Sequence, residues 1–306
     1  MPLSPNMRGA LFMIVAMAGF TVNDAVTKGV SGEMNLGQIM FVRGAFATLL
    51  VGCLAWHNGA LRSREYMLHP LMWLRVLGEL GGTIAFLVAL VHMPLANVSA
   101  VLQSLPLAVT MGAALVLREP VGWRRWIAIL IGFAGVLVVV RPGLEGFSVY
   151  SLYALLCVAC CAVRDLATRR LPPGVPSLLV STATAIGVTA FGGLLIVPLG
   201  GWTPMAWSST GELFLASLLL VVGYHFIVMA MRLGDISFVA PFRYTSLLWA
   251  MFLGWAMFGE VPDGAMLAGS AVIVASGIYT LYRERVRDRT RPAAESTTPS
   301  LAPDGT

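Results

Sequence analysis

Apolar residues come in runs of about twenty, and short polar or turn-forming breaks separate them along nearly the whole chain. The runs lie at 8–27, 36–56, 71–91, 95–117, 123–140, 148–168, 176–199, 211–232, 236–258 and 264–282. About twenty apolar residues is the length a helix needs to cross ~30 Å of hydrocarbon. No water is available there, so the backbone must satisfy its own hydrogen bonds, and each run is expected to be helical. Pro94, Pro142-Gly143, Pro172-Pro173 and Gly200-Gly201 punctuate the turns. No connection is long enough to hold a soluble domain. The pattern predicts an all-α membrane protein with ten transmembrane helices. After Arg283 the chain becomes Arg-rich and then rich in Pro, Ser and Thr, and residues 284–306 are expected to form a disordered cytoplasmic tail.

Composition agrees. Of 306 residues 58% are apolar and 11% are charged, with a mean hydropathy of +0.81; soluble domains carry roughly 25% charged residues. Arg8, the apolar run after it and Ala16-Met17-Ala18 could together pass for a cleaved signal peptide. The internal repeat described next makes that segment a partner of a later span instead. With ten spans and an internal N-terminus, 14 arginines fall on the inner side, including Arg62, Arg64, Arg118, Arg124, Arg169 and the tail. Only Lys28 and Arg141 fall outside. The positive-inside rule then puts both termini in the cytoplasm. The net charge of +5 is this topological bias and does not point to nucleic acid.

The chain matches itself at an offset of 141: Leu11 with Leu152, Val22 with Val163, Asp24 with Asp165, Thr27 with Thr168, Lys28 with Arg169, Ala89 with Ala230, Val98 with Val239 and Glu119 with Glu260. The expected organisation is a repeat at 8–143, a second at 148–283, and the tail. Five spans per repeat is odd, so the second repeat enters the membrane inverted. Inverted repeats are a construction of secondary transporters, with the solute site near the midplane.

Several short motifs, in order, resemble one family. They are Asn23-Asp24-Ala25-Val26-Thr27-Lys28, Phe41-Val42-Arg43, Arg118-Glu119-Pro120 with Gly135, Ala240-Pro241-Phe242-Arg243-Tyr244, and Gly259-Glu260-Val261-Pro262. Across residues 8–285 the chain resembles the EamA type of the drug/metabolite transporter superfamily. Ala128 and Ser276 stand where that family often has Gly, which bears on helix packing. The resemblance implies ten helices in two EamA repeats and transport of small organic solutes across an inner or plasma membrane. The Asn-Asp and Ala-Pro-Phe-Arg-Tyr pieces are similar to the branch that includes S-adenosylmethionine and riboflavin carriers, although amino-acid exporters share much of the pattern.

Ionisable groups at hydrocarbon depth are costly and mark functional candidates. Arg243 lies about seven residues into its span, roughly 10 Å deep at 1.5 Å per residue. The small residues Ser246, Ala250 and Gly254 share its face. Depth alone suggests two gate-like pairs, Asp24 with Arg43 outside and Asp165 with Arg243 inside, or independent snorkelling of all four. Glu79 is either paired in-helix with Arg75 or a proton-binding carboxylate, and His225 could titrate near neutrality. Ser99, Gln103, Pro106 and Thr110 form a polar stripe that lines a cavity or bonds a neighbouring helix. Tyr244 and Trp249, with Phe242 and Trp255, could stack on a flat solute or pack against helices. Cys157, Cys160 and Cys161 read as small packing residues, and no metal or cofactor is expected. The solute-binding candidates are thus Arg243, Tyr244, Ser246, Trp249, Gln103, Ser99 and Thr110. Those for gating or proton coupling are Asp24, Arg43, Glu79, Asp165 and His225.

With no Walker loop, nucleophile elbow or zinc signature, an ATP-driven pump is disfavoured. The reading is a non-enzymatic secondary transporter working by alternating access. It would take up a partly aromatic metabolite such as riboflavin or S-adenosylmethionine, driven by a coupling proton or sodium ion, as a lipid-embedded monomer or homodimer. Export of amino acids or related metabolites is the alternative, and an intramembrane transferase a more distant one.

Overall fold

The computed structural model describes residues 4–62, 66, 69–119, 121–144, 147–172, 174–233 and 235–288. Its helices are α1 (Pro5–Val30), α2 (Leu36–His57), α3 (Pro70–His92), α4 (Leu95–Leu102), α5 (Leu105–Val116), α6 (Trp123–Val140), α7 (Tyr150–Arg169), α8 (Ser177–Ile196), α9 (Trp207–Leu233), α10 (Ile236–Val239), α11 (Thr245–Phe258) and α12 (Gly264–Asp288). Among the described residues no strand occurs, and nine helical segments are long and apolar enough to cross a membrane. The protein is an integral, multi-pass membrane protein. The last helix continues to Asp288, six residues past the end of the expected span, and 289–306 lie outside the described residues.

Two of the expected spans are not continuous helices. The fourth breaks at Gln103–Ser104 between α4 and α5. The run at 236–258 is in three pieces: α10, a 3₁₀ segment at Ala240–Tyr244, and α11. Proline is the cause in both. Pro106 and Pro241 each lack an N–H, and each ring clashes with the carbonyl four residues earlier, so a helix running into them must stop and restart.

Helix pairing follows one scheme. α1 lies along α9, α2 along α8, α3 along α7, and α6 along α12, while α11 packs on α4 and α1. Small residues make the close approaches, as expected where lipid provides no hydrophobic drive between helices and van der Waals contact must hold them. On α6 the buried side carries Ala128, Gly132 and Gly135, whereas Leu130, Ile131 and Leu137 face outward. A Cβ on Gly135 would sit 2.9 Å from the Gly269 carbonyl oxygen on α12. Ala128 is buried on this side too, and Ser276 opposes Gly132, so the two departures from the family's glycines fall on the α6–α12 contact.

Between α2 and α8 the contact is tighter. A Cβ on Gly192 would come within 2.7 Å of Met40 Cβ and the Phe41 backbone nitrogen. Gly192→Ala is therefore expected to destabilise the protein by about 1–3 kcal/mol through overpacking and to lower its melting temperature in detergent. Gly211→Ala on α9, where nothing lies within 4 Å, should not. Equal melting of the two variants would refute this packing.

Candidate functional site

Local chain geometry delivers one glutamate to each end of the bundle. α5 and α11 both finish on a residue in the left-handed conformation, Arg118 with φ 56° and Gly259 with φ 65°. The next residue then turns its N–H back to the helix: Glu119 N bonds Ala113 O at 3.1 Å, and Glu260 N bonds Gly254 O at 3.0 Å. This six-residue closure satisfies orphan carbonyls at the helix end. Here it also fixes where the Glu side chain starts.

Each glutamate meets a cation from the other half of the chain. Lys28, near the end of α1, donates to Glu260 Oε1 at 2.5 Å and to the Met93 carbonyl at 2.6 Å, with its ammonium 5.1 Å from the Phe258 ring. Glu260 Oε2 accepts the Leu95 N–H at 2.7 Å. Arg169, at the end of α7, reaches Glu119 Oε1 at 3.5 Å, and Arg170 reaches the Val116 carbonyl at 3.4 Å. Leu95 and Val116 bound one span of 22 residues, so the two ion pairs sit at opposite ends of it, roughly 33 Å apart at 1.5 Å per residue. They are not equally tight. Side-chain exposure is 11% and 18% for Lys28 and Glu260, against 34% and 50% for Arg169 and Glu119.

Between the pairs lies a cluster of charged side chains. Glu79 Oε2 accepts from Arg75 and from Arg164, each at 3.2 Å, and Arg164 Nε also bonds Asp165 at 2.7 Å. Gly78 admits this: a Cβ there would sit 3.0 Å from the Arg164 backbone nitrogen, so α3 and α7 touch directly. Cys160 and Cys161 fill the neighbouring space, with their sulfurs 3.0 Å from where Cβ atoms of Gly81 and Gly82 would stand. On the other side, Asn23 Nδ2 donates to Asp24 at 2.9 Å, and Arg43 Nη1 lies 3.4 Å from Thr27 Oγ1.

At the two helix breaks a third set gathers. Gln103 Nε2 donates to Ser246 Oγ, and Thr21 Oγ1 lies 3.5 Å from the Ser246 carbonyl. A small pocket here is lined by Gln103, Pro106, Ala240, Arg243, Tyr244 and Leu281. Arg243 is exposed and makes no hydrogen bond or ion pair among the described residues. The Tyr244 hydroxyl is buried without a partner against Gly277, where a Cβ would overlap it.

Residues 7–141 match the EamA-like transporter family. A riboflavin transporter from Vibrio cholerae is 28% identical over 291 residues, covering 92% of this chain and 96% of that protein. The pseudopaline exporter CntI of Pseudomonas aeruginosa is 28% identical over 277 residues, covering 88% and 94%. An S-adenosylmethionine uptake transporter from Rickettsia prowazekii is 23% identical over 291 residues, covering 92% and 95%. The chain is similar to EamA-type drug/metabolite transporters, and these relatives support a membrane transporter of small metabolites. A crystal structure with 18% identity, covering 91% of this chain and 98% of its own, superposes with a TM-score of 0.58 and shares the fold.

The fold brings together some of the residues expected to act and separates others. Gln103, Ser246, Arg243 and Tyr244 meet at the breaks. Asp24, Arg43, Glu79 and Asp165 all belong to the charged region between the two end pairs. The proposed inner pair is absent: Asp165 is held by its neighbour Arg164, and among the described residues no ion pair joins it to Arg243. Asp24 and Arg43 lie in one region but are not within 4 Å of each other as an ion pair. Glu79 does bond Arg75 in-helix, and it also bonds Arg164 across helices.

Trp249 packs with Phe242 against Met13, Ala16 and Met17, so its ring fills the α1–α11 contact. Thr110 bonds back to the Pro106 carbonyl at 2.8 Å, and Ser99 is half-buried on α4. His225 is exposed beside Phe226, and Trp255 is 61% exposed. Sequence reasoning missed the Lys28–Glu260 and Arg169–Glu119 contacts. The signal was present, since the two cations are 141 residues apart and so are the two glutamates.

Proposed function

We propose that this carrier moves a small organic metabolite across the inner or plasma membrane by alternating access, in the uptake direction, with both termini in the cytoplasm. In this reading 236–258 is a tenth crossing, and residues 8–143 and 148–283 are two inverted repeats. The observation that carries it is the pair of end contacts. Lys28 and Arg169 are 141 residues apart, and so are Glu119 and Glu260, so one contact maps onto the other when the halves are exchanged. Other contacts follow the same exchange. Gly19 faces the Leu219 carbonyl as Gly78 faces the Cys160 carbonyl, with both members again offset by 141. Thr48 bonds Thr189, its own repeat position, at 3.1 Å. The helix breaks correspond too, because Gln103 maps onto Tyr244.

Two related contacts at opposite ends suit a carrier with two states, each closed at one end. In this reading the tighter Lys28–Glu260 contact and the looser Arg169–Glu119 contact belong to a form closed outside and opening inward. Solute then enters between the charged cluster and the pocket at the breaks, and a proton or sodium gradient drives accumulation. The S-adenosylmethionine uptake relative supports the direction. Export is the second reading, favoured by the CntI relative at 28% identity.

Two measurements test the proposal. Reporter fusions near Gly201 should read external, and fusions after Arg64 and Arg287 cytoplasmic; a cytoplasmic signal at Gly201 breaks the inverted repeat. Proteoliposomes loaded with a metabolite panel should show counterflow for at least one member, with imposed pH and sodium gradients setting the direction. Absence of counterflow across the panel would sink the carrier mechanism.

A further inference from the structure

The charged region contains two kinds of group. Arg75, Glu79, Arg164 and Asp165 are bonded to one another and neutralise each other. Asp24 and Arg43 are not. Asp24 accepts a hydrogen bond only from the uncharged Asn23 amide, and the Arg43 guanidinium has only a long contact to Thr27 Oγ1, among the described residues. Each nevertheless feels the other's opposite charge, Arg43 feeling Glu79 as well, and both side chains are half-buried. Asn23 adds a further acceptor. Its Nδ2 is committed to Asp24, which leaves Oδ1 buried and without a donor on a residue only 3% exposed.

We propose that these groups form the two halves of a site for a zwitterionic solute, resting on the carrier reading above. Asp24 and Asn23 Oδ1 offer two acceptors to an ammonium group, and the Arg43 guanidinium offers donors to a carboxylate. The planar guanidinium fork matches a carboxylate in a way an ammonium cannot. An isolated charge at membrane depth costs several kcal/mol. A singly charged solute would pair with one of these groups and leave the other alone. An amino-acid head group, ammonium and carboxylate together, satisfies both and adds no net charge of its own. Lys28 lies four residues beyond Asp24 on α1, about 6 Å further along the axis, so the Lys28–Glu260 contact closes directly over the ammonium half.

Equilibrium binding to the purified full-length carrier in detergent tests this without requiring movement across a membrane. The probes are L-phenylalanine and S-adenosylmethionine, the decarboxylated form of each, and riboflavin as a solute without the charged pair. At least one zwitterion should bind, and its decarboxylated form should bind at least about tenfold more weakly, as loss of one good charged contact implies. Arg43→Gln should erase that difference, and Asp24→Asn should weaken both ligands.

The wild-type comparison stands even if a variant does not fold. The proposal is overturned if neither zwitterion binds, if the decarboxylated forms bind as well, or if riboflavin binds regardless of Asp24 and Arg43. Riboflavin counterflow without zwitterion binding would reject this site and keep the carrier reading. Zwitterion binding without any flux would do the reverse.

Discussion

Glu260→Gln is expected to lose most transport while the protein still folds and inserts. The glutamate ties together three parts of the chain: the end of α1 through Lys28, the start of α4 through the Leu95 N–H, and the cap of α11. Glutamine can still accept from Leu95 but cannot neutralise Lys28. Removing one partner of a buried, hydrogen-bonded charge pair costs about 2–5 kcal/mol, and 2 kcal/mol is already roughly 30-fold in a two-state population. Most of that falls on the state closed at this end, because the spans do not need the pair in order to cross the membrane. Outer access should therefore rise. Thr21→Cys, in a background without the four native cysteines, reports it. Thr21 is 3% exposed and lies seven residues inward of Lys28. A membrane-impermeant maleimide added outside should label it slowly in the parent and much faster with Glu260→Gln. Glu119→Gln should leave that labelling slow, since it touches the other, more exposed pair, where such contacts contribute little. Normal uptake by Glu260→Gln, or labelling that does not change, would rule out the gate.

The second large effect is expected at Arg243. Arg243→Lys and Arg243→Ala should both reduce transport at least about tenfold, the loss of one strong charged contact, with melting temperature and expression unchanged. Arg243 has no bond to another described residue, stands exposed on the 3₁₀ segment, and lines the pocket with Gln103 and Tyr244. A side chain bonded to no described residue contributes little to stability, and substitutions away from packed or bonded features usually stay within about 0.5 kcal/mol. In the proposed repeat its counterpart is Leu102, so a cation there is not required to build such a segment. Lysine keeps the charge but not the five-donor fork, which makes it the informative change. Full transport by Arg243→Lys would remove Arg243 from the solute path. A fall in melting temperature parallel to the loss would make its role structural.

Pro106 and Pro241 act locally, by a clash four residues away, yet both spans were expected to be continuous helices. Glycines such as Gly135 mark close packing without naming the partner. Depth along a span was legible, which is why Asp24, Arg43, Glu79, Asp165 and Arg243 stood out. Depth does not carry rotation about the helix axis. Asp165 and Arg243 were matched by depth, yet Asp165 bonds the residue beside it. Trp249 looked suited to stacking, but its face of α11 turns toward α1.

By itself the sequence determined that this chain is a helical membrane protein with a few charges at hydrocarbon depth. Run length and the need to satisfy backbone hydrogen bonds inside lipid are conditions each segment meets alone. Only the tertiary structure decided which charges meet. Lys28 finds Glu260 across 232 residues because glycine-faced helices bring the two halves into contact and left-handed caps set the glutamates at the ends. Asp24 and Arg43 stay apart in the same assembly. An ion pair falls off within a few ångströms, so it depends on helix rotation and spacing that packing fixes and that no single span encodes.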